Sequence, residues 1–260
     1  MAKDITKILT DWPHGDGPTA RRVMGEDGRE KVQIRVCIDS FHGILQFECD
    51  GRPDGKRPHS CEFYFDYIEE KQRKQAGSGD KSGEFRLTRS QCKKLFEESG
   101  MLYHRYVVML QMGDYDRVIR DTARNMRLFR LVHEQAAHES DRTHLECWWP
   151  YILRIHHTAV VMKALEDGNL DAALQAIATC RDRIQELAPQ ENEVFTQERK
   201  RSLEALEQMA HEIRSRKPLS ELEKLEKEKR EAIQAQRYEE AARLRDKINT
   251  LKGRPEGPSK

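Results

Sequence analysis

The last third of the chain carries a charged, amphipathic pattern that predicts two short helices folded back on each other. Apolar residues return at roughly helical spacing between Lys and Glu faces on both sides of a break at residues 234–237. The first stripe is Leu222, Leu225, Ala232 and Ile233, and the second is Tyr238, Ala241, Ala242, Arg245, Ile248 and Leu251. So narrow a pair of stripes buries little apolar surface, which predicts that the hairpin packs on a further surface.

The two ends of this predicted hairpin also have local signals. Pro218 and the capping box Ser220-x-x-Glu223 predict where the first helix begins. The adjacent small side chains of Ala241 and Ala242 allow a close approach of two antiparallel helices, with Tyr238 covering the turn end of the seam. An ordinary charged coiled coil is the alternative interpretation of the same pattern.

The second half of the hairpin resembles a known interaction motif. The run Tyr238-Glu239-Glu240-Ala241-Ala242, followed by Arg245-Asp246 and then Ile248 and Leu251, is similar to the UVR motif. That motif is the helical hairpin of the bacterial excision-repair proteins UvrB and UvrC, and it occurs in McsA-type stress and quality-control proteins and in some Clp ATPases. The resemblance covers about the last 35 residues. It implies an antiparallel hairpin that binds another protein.

Composition bounds the classes of function. The 260 residues are 37% hydrophobic and 35% charged, and 46 basic against 45 acidic side chains leave a net charge of +1. Such balance argues against a dedicated nucleic-acid binder. The sequence contains no run of about 18 apolar residues, so no membrane span is predicted. The N-terminal segment lacks the apolar core that is typical of a secretory signal. Six scattered cysteines fit a reducing cytoplasm.

The N-terminal region predicts a small α+β domain at residues 1–83. Its first 28 residues are expected to be a weakly ordered lead-in, and Gly77–Gly83 a flexible linker. Two alternating runs, 32–38 and 45–49, predict a β-hairpin in which residues 40–43 form the loop. This register pairs Ile38 with Leu45, Val36 with Phe47, Ile34 with Cys49 and Arg35 with Glu48. A helix over about Ser60–Ala76 is expected on the apolar face of that hairpin.

From Thr88, where Thr88-x-x-Gln91 forms a capping box, the pattern is helical. A weak repeat joins residues 111–119, 166–174 and 235–242, in each of which a helix ends, a short turn follows and an aromatic residue or Leu opens the next helix. Such turns are typical of tetratricopeptide-like helix pairs. The predicted fold is thus α+β but mostly α, with a TPR-like domain at 84–216, the UVR-type hairpin at 217–253 and a disordered tail at 254–260.

Candidate chemistry elsewhere is sparse. The predicted register separates Cys37 from Cys49, the remaining cysteines are single and no CxxC pair exists, so neither a zinc site nor a cofactor is expected. His156 and His157 point about 100° apart on a helix, which favours interior imidazoles. The segment at residues 50–55 fits a tight turn; alternatively, it presents Arg52, Lys56 and Arg57 as a loop that faces an anion. Two further sets of residues could bind nucleic acid. The first is an arginine stripe, for which the favoured interpretation is a surface face paired with neighbouring acids: Arg117, Arg120, Arg124, Arg127 and Arg130. The second is Trp148 and Trp149, for which packing is favoured over base stacking.

These observations predict a cytoplasmic, non-catalytic interaction protein. The partner is expected to be a protein, either UvrB- or UvrC-like or another helical protein, and self-association through the same hairpin stays open. The alternative is a DNA-associated accessory factor of nucleotide excision repair; no membrane partner is expected. The predicted partner-binding residues are Leu222, Leu225, Tyr238, Glu239, Ala241, Ala242, Arg245, Asp246, Ile248 and Leu251. Glu239, Arg245 and Asp246 are expected to fix register by charge.

Overall fold

A computed structural model describes residues 5–12, 19–39, 41–77, 85–216 and 221–252. The predicted linker beyond Gly77, the capping box at Ser220 and the tail at 254–260 lie outside these ranges. The chain divides into two units, Met1–Met209 and Ala210–Lys260, which are described separately below. The predicted boundaries at residues 83 and 216 stay a prediction. The fold is α+β and mostly α, as predicted.

The first unit begins with a three-stranded antiparallel sheet in the order β1-β2-β3. Its strands are β1 (Ala20–Met24), β2 (Glu30–Ile38) and β3 (Phe41–Glu48), preceded by a short helix α1 (Thr6–Asp11). Neither α1 nor β1 was predicted; both lie in the expected lead-in. The Arg-rich sequence of β1 lacks the long apolar alternation by which a strand is recognised.

The predicted register of the β-hairpin is wrong. Ile38 pairs with Phe41, and Ile34 pairs with Leu45, so the two strands pair closer to the turn than predicted. Asp39 adopts the left-handed φ of 46°, which Asp tolerates, and this permits the tighter connection. The shift moves each strand by an even number of places, so the apolar faces are preserved. Glu48 pairs with Lys31, at 2.5 Å, instead of Arg35.

Helix α2 (Tyr64–Gly77) does not cover the apolar face of that hairpin as expected. It follows a short 3₁₀ turn at Pro58–Ser60 and packs against α3. Ile38 and Phe41 remain 68% and 79% exposed. The sheet is therefore buried at its Val32 end and exposed at its turn.

The rest of the first unit is helical. Thr88 caps α3 with the predicted capping box, in which its side chain accepts from the Gln91 N–H. Helix α4 packs against both α3 and α6, and α6 packs against α7. The helices are α3 (Arg89–Gln111), α4 (Tyr115–Gln135), α5 (Glu139–Arg142), α6 (Trp149–Glu166), α7 (Leu170–Gln185) and α8 (Glu193–Arg216), the last of which continues into the second unit. Helical hairpins are thus confirmed, whereas their TPR-like character stays a prediction.

Two of these hairpins close through the same turn. Gly113 and Gly168 have φ of 73° and 69°, a conformation that glycine adopts without steric cost. The following N–H groups, of Asp114 and Asn169, donate to carbonyls five residues back at 2.9 and 2.8 Å. The same two side chains then cap α4 and α7. The sequence repeat is therefore a repeat of turn geometry.

A buried ion pair connects the sheet region to the helices. The Arg105 guanidinium donates to both carboxylate oxygens of Asp121, at 2.6 and 2.9 Å, and the two residues are 0% and 1% exposed. Its third nitrogen donates to the carbonyls of Glu48 and Gly51. This bidentate geometry satisfies both charges, as burial requires.

The second unit contains the last residues of α8 and the predicted terminal hairpin. Its helices are α9 (Glu221–Gln234) and α10 (Tyr238–Lys252), joined by residues 235–237. They pack against each other as an antiparallel pair.

Candidate functional site

The terminal hairpin closes on a small apolar seam of its own. Leu225 and Ala232 of α9 pack with Ala241 and Leu244 of α10, and the three residues other than Leu225 are at most 8% exposed. Ile248 is also buried, at 4%. One of the two predicted alanines, Ala241, thus lies at the helix contact, where its small side chain allows close approach. The seam is short, and these side chains are two alanines, two leucines and one isoleucine.

The turn of this hairpin has the geometry found twice in the first unit. The Arg237 N–H donates to the Ala232 carbonyl at 2.8 Å, five residues back. Here the left-handed position is occupied by Gln236, with φ of 57°, instead of glycine. Arg237 has no side-chain oxygen with which to cap α10 and instead pairs with Glu240 at 2.8 Å. The terminal hairpin therefore has the intrinsically weaker turn.

The structure divides the predicted α10 stripe between two sides of the helix. Ala241 and Ile248 face the seam together with Leu244, which sequence reasoning missed. Tyr238, Ala242 and Arg245 follow one another in steps of four and three residues and share a different side, because each residue turns by about 100°. Tyr238, which was expected to cover the turn end of the seam, is 67% exposed. Glu239 and Asp246 are exposed as well, while Leu222, Leu225 and Leu251 are partly buried.

An apolar patch remains at the turn end of the hairpin. Tyr238 opens α10, and Ile233, in the last turn of α9, is 48% exposed. Ala235, in the turn between them, is exposed too. The closed seam therefore does not consume all the apolar surface of this unit. We call Ile233, Tyr238 and Ala242 the exposed face.

The charged residues on the hairpin pair locally. Arg245 donates to its neighbour Asp246 at 2.9 and 3.1 Å, and both side chains are more than 60% exposed. Lys227 and Glu231 lie 3.9 Å apart on the exposed surface of α9. The Arg245–Asp246 pair lies within α10 and does not bridge the two helices. Both charges stay accessible to solvent.

The arginine stripe of α4 is occupied by neighbouring acids of the first unit, as the favoured interpretation predicted. Its arginines form ion pairs with carboxylates on strand β2, on the loop after β3 and on helix α2. Asp50 receives two of them, and hydrogen bonds from Arg117 lower its pKa to about 2. Arg130 lies over the Trp149 ring at 5.6 Å. The other pairs are Arg117 with Glu30 and Asp50, Arg120 with Asp50, Arg124 with Asp66 and Arg127 with Glu69. A stripe engaged in this way offers few free cations to phosphate.

The anion-facing loop is only partly available. Arg52 is tied to Asp54 at 2.9 Å and to the buried carboxylate of Glu98 at 3.2 Å. Lys56 and Arg57 are exposed at the edge of a shallow pocket. The Glu98 carboxylate also accepts the N–H groups of Tyr64 and Phe65 at the start of α2. Arg52 therefore has an internal role.

One histidine and one cysteine, His157 and Cys180, are buried in the interior of the first unit. His157 is 7% exposed, and burial, with smaller effects of His156 and Arg183, lowers its pKa to about 4. Cys180 is buried, and burial raises its pKa to about 12. Among the described residues, no group of three or more His, Cys, Asp or Glu side chains is arranged to hold a metal ion. No described helix combines the length and apolarity that crossing a bilayer requires.

Trp148 and Trp149 differ in their surroundings. Trp149 packs edge-on against Phe129 and donates its indole N–H to Glu146 at 3.1 Å. Trp148 is 42% exposed beside Tyr151. Trp149 thus has the packing role that the sequence favoured.

Comparison with known families agrees with the predicted resemblance. The family model described as UVR, UvrB/uvrC motif, matches residues 220–254. No curated protein and no solved structure matches the chain. The matched residues include all of α9 and α10, so the motif corresponds to the terminal hairpin.

Proposed function

We propose that this chain is a non-catalytic interaction protein whose terminal hairpin binds a helical hairpin of another protein, or of a second copy. The observation that carries the proposal is the exposed face, on which Tyr238 is 67% and Ile233 is 48% exposed although the seam beneath is closed. The family match over residues 220–254 supports a role in interaction. The alternative of an unpartnered coiled coil leaves this apolar surface unexplained.

The side chains on this face suit a helix–helix contact. Tyr238 offers a large amphipathic ring, and residues of this type dominate binding energy at interfaces. Ala242, one turn further along, is small enough to admit a partner helix at close range. Arg245 and Asp246 border the same side with accessible charges that select the orientation of the partner.

The buried members of the predicted set have a different role in this proposal. Ala241 and Ile248 hold the two helices together and present the exposed face without touching the partner. Leu222 and Leu251 are partly buried at the open end of the hairpin and extend the contact there. Binding therefore does not require the seam to open.

A face-directed substitution tests the proposal in the full-length chain. We expect Tyr238→Asp to abolish partner recovery in affinity purification, or concentration-dependent self-association by light scattering, because a carboxylate would be buried in the contact. Tyr238→Phe should preserve binding. Lys247→Glu, an even larger change of charge on the other side of α10, is the matched control. Equal recovery with Tyr238→Asp and the wild-type chain contradicts the proposal.

The second candidate is a DNA-associated factor linked to excision repair, which the motif description favours. The arginine stripe argues against it, because Arg117, Arg120, Arg124 and Arg127 are paired with carboxylates. A salt titration separates the two candidates. Phosphate contacts predict binding that weakens steeply with salt, and no binding at low salt excludes the DNA role.

A cytoplasmic location belongs to the same proposal. All six cysteines are free thiols, and four of them are buried, which suits a reducing compartment. Fractionation of cells that produce the full chain tests this location.

A further inference from the structure

Strand β3 leaves one edge of the sheet open. Among the described residues it is the last strand in the order β1-β2-β3. The Arg35 N–H, in β2, donates to the Thr19 carbonyl on the far side at 2.8 Å, so the pair of Arg35 and Ile44 exchanges no ladder hydrogen bonds. Such pairs alternate along an antiparallel ladder, so the N–H and C=O groups of Ile44 and Gln46 point away from β2. The open edge therefore presents backbone donors and acceptors to a further strand.

The two ends of this edge differ. The Glu48 N–H donates to the Pro53 carbonyl at 3.0 Å, so the loop after β3 occupies the edge at that end. At the turn end, Phe41 is 79% exposed, the highest value for a large apolar side chain in the described ranges. The stretch that can accept a further strand is therefore 41–46.

Strand β3 lacks the features by which proteins protect a sheet edge. Protected edges are short or carry Lys, Pro or a bulge. β3 is eight residues long, contains neither Lys nor Pro, and pairs with β2 without a bulge. Between Val36 and Phe47, the only Asp, Glu, Lys or Arg is Asp39, although 35% of the chain is charged. The opposite edge strand, β1, is five residues long and contains two arginines.

Apolar side chains line one face of the sheet beside this edge. Ile38 pairs with Phe41, and Leu45 lies two pairs further along the same face. Ile38 is 68% exposed and Leu45 is 56% exposed. An uncharged edge with an exposed apolar face suits the addition of an extended strand, whose backbone completes the ladder and whose side chains cover the face.

The strand that fits this edge is β3 of a second copy. Two copies of β3 related by a two-fold axis are antiparallel, as in the rest of the sheet, and each satisfies the outward groups of the other. Residues 41–46 contain no Asp, Glu, Lys or Arg, so no like charges meet. Pairing of β3 with the β1 edge of another copy would instead be head-to-tail and would leave an open edge at each end.

The side chains indicate where the two-fold axis lies. With the axis at Gly43, Phe41 of each copy lies opposite Leu45 of the other, so the exposed large apolar side chains of β3 cover each other. Gly43 then faces its own copy at the closest cross-strand distance, where glycine permits two backbones to approach. A Cβ atom at Gly43 would also lie 3.2 Å from Val36, so a small residue suits the packing within the sheet as well. This alignment stays clear of the loop at Glu48.

We propose that two copies of the chain join through β3 into a continuous antiparallel sheet of six strands, three from each copy, with the two-fold axis at Gly43. The order becomes β1-β2-β3-β3-β2-β1, and the apolar side chains around Ile38 and Phe41 of both copies merge on one face. The contact does not involve the terminal hairpin, so it is independent of the function proposed above.

Sedimentation velocity of the full-length protein tests the association. We expect a monomer–dimer equilibrium in the micromolar range, as in other small interfaces, and expect it to persist in Tyr238→Asp, which removes any association through the exposed face. Phe41→Lys and Leu45→Glu should each weaken dimerisation by about tenfold or more, because each places a charge opposite an apolar side chain. Met24→Lys, at a 70% exposed side chain of β1, is the matched control and should leave the equilibrium unchanged.

The double variant Phe41→Lys/Leu45→Glu tests the position of the axis. With the axis at Gly43, the introduced ammonium of each copy lies opposite the introduced carboxylate of the other, so dimerisation should recover relative to either single variant. Within one strand the two positions are four residues apart and do not meet. Recovery therefore reports pairing between copies.

Hydrogen exchange provides a test without substitution. The Ile44 N–H points outward, so its exchange should slow as the protein concentration rises, whereas the Leu45 N–H, which faces β2, should not respond. The proposal is overturned if the chain stays monomeric up to millimolar concentration or if Ile44 exchange is independent of concentration. It is also overturned if Tyr238→Asp abolishes the dimer, which assigns the association to the terminal hairpin, or if the double variant dimerises no better than the single ones.

Discussion

The hairpins α3–α4 and α6–α7 of the first unit and the terminal hairpin α9–α10 close through one turn geometry but differ in what surrounds them. Tyr115 and Leu170, the residues that open the second helix in the first unit, are partly buried, whereas the corresponding Tyr238 is 67% exposed. In the first unit, α4 is packed against two helices. The comparison teaches that the turn specifies a hairpin, while burial of its outer face decides whether the hairpin builds a core or presents a surface.

The two kinds of hairpin also differ in buried charge. The first unit holds Arg105 and Asp121 inside, whereas the charged pairs described on the terminal hairpin, such as Arg245 with Asp246, lie in solvent. Exposed ion pairs contribute about 0–1 kcal/mol to the free energy of unfolding, whereas removing one partner of a buried pair is strongly destabilising. The four predictions below use this difference, from the largest expected effect to the smallest.

The strongest test of the comparison is removal of the buried carboxylate. Asp121→Ala leaves the guanidinium of Arg105 buried and unpaired, which we expect to destabilise the first unit by about 3–5 kcal/mol. Urea unfolding followed by tryptophan fluorescence measures this unit alone, since Trp12, Trp148 and Trp149 all lie within it. Asp182→Ala, which breaks the exposed pair with Arg181, should change the midpoint little. Similar losses of stability in the two variants would contradict the distinction between buried and exposed ion pairs.

The second prediction concerns the pH dependence of the α6–α7 hairpin. The pKa of buried His157 is lowered to about 4, so the unfolded chain binds a proton at higher pH than the folded one does. Stability is full above the unfolded pKa of about 6.5 and falls as pH drops towards 4, by roughly 2–3 kcal/mol. Urea midpoints between pH 7.5 and 4.5 measure the loss. His157→Leu should reduce the slope in this window, while the lowered pKa of partly buried His156 leaves a smaller one, and an unchanged slope would contradict the assignment.

The third prediction separates the seam of the terminal hairpin from its exposed face. Ala241→Leu inserts a larger side chain between α9 and α10 and should destabilise the hairpin by about 2 kcal/mol. Ala242→Leu, the adjacent residue on the exposed face, should change stability by less than about 0.5 kcal/mol. Hydrogen exchange of backbone amides in residues 221–252 reports both. Equal protection losses would mean that the two alanines do not face different surroundings.

The smallest effect is expected at the turn. Gln236→Gly removes the steric cost of a left-handed non-glycine residue and should stabilise the terminal hairpin by about 0.5–1 kcal/mol. The reciprocal change Gly168→Gln should destabilise the α6–α7 hairpin by about 1 kcal/mol. Exchange rates in α10 and urea midpoints of the first unit measure the two. If Gln236→Gly loosens the hairpin, the equivalence of the turns is wrong.

Local chemistry could be predicted from the sequence because its causes lie within a few residues. The Thr88 capping box and the shared turns at Gly113 and Gly168 depend on neighbours in the chain, and alternation fixed which face of β2 is apolar. The register between β2 and β3 could not be fixed in this way, since every even shift preserves that face. Asp39, next to the last paired residue of β2, adopts the left-handed conformation in the observed register.

Long-range relations escaped prediction. The pairing of Arg105 with Asp121 depends on how distant segments pack, and so does the identity of the acids that pair with the arginine stripe. At the candidate site, the motif indicated the hairpin and Ala241, but the predicted stripe joined Tyr238 to the seam residues and omitted Leu244. Tyr238 and Ala241 are three residues apart, and only the packed partner helix decides which of two adjoining stripes is buried.

The guanidinium of Arg105 also has a consequence for the order in which the chain is completed during translation. It supplies donors to the carbonyls of Glu48 and Gly51, and its own charge is balanced by Asp121. A nascent polypeptide that has emerged only as far as α2 contains the acceptors without either ion. The loop after β3 therefore reaches its final hydrogen bonding only once α4 has left the ribosomal tunnel.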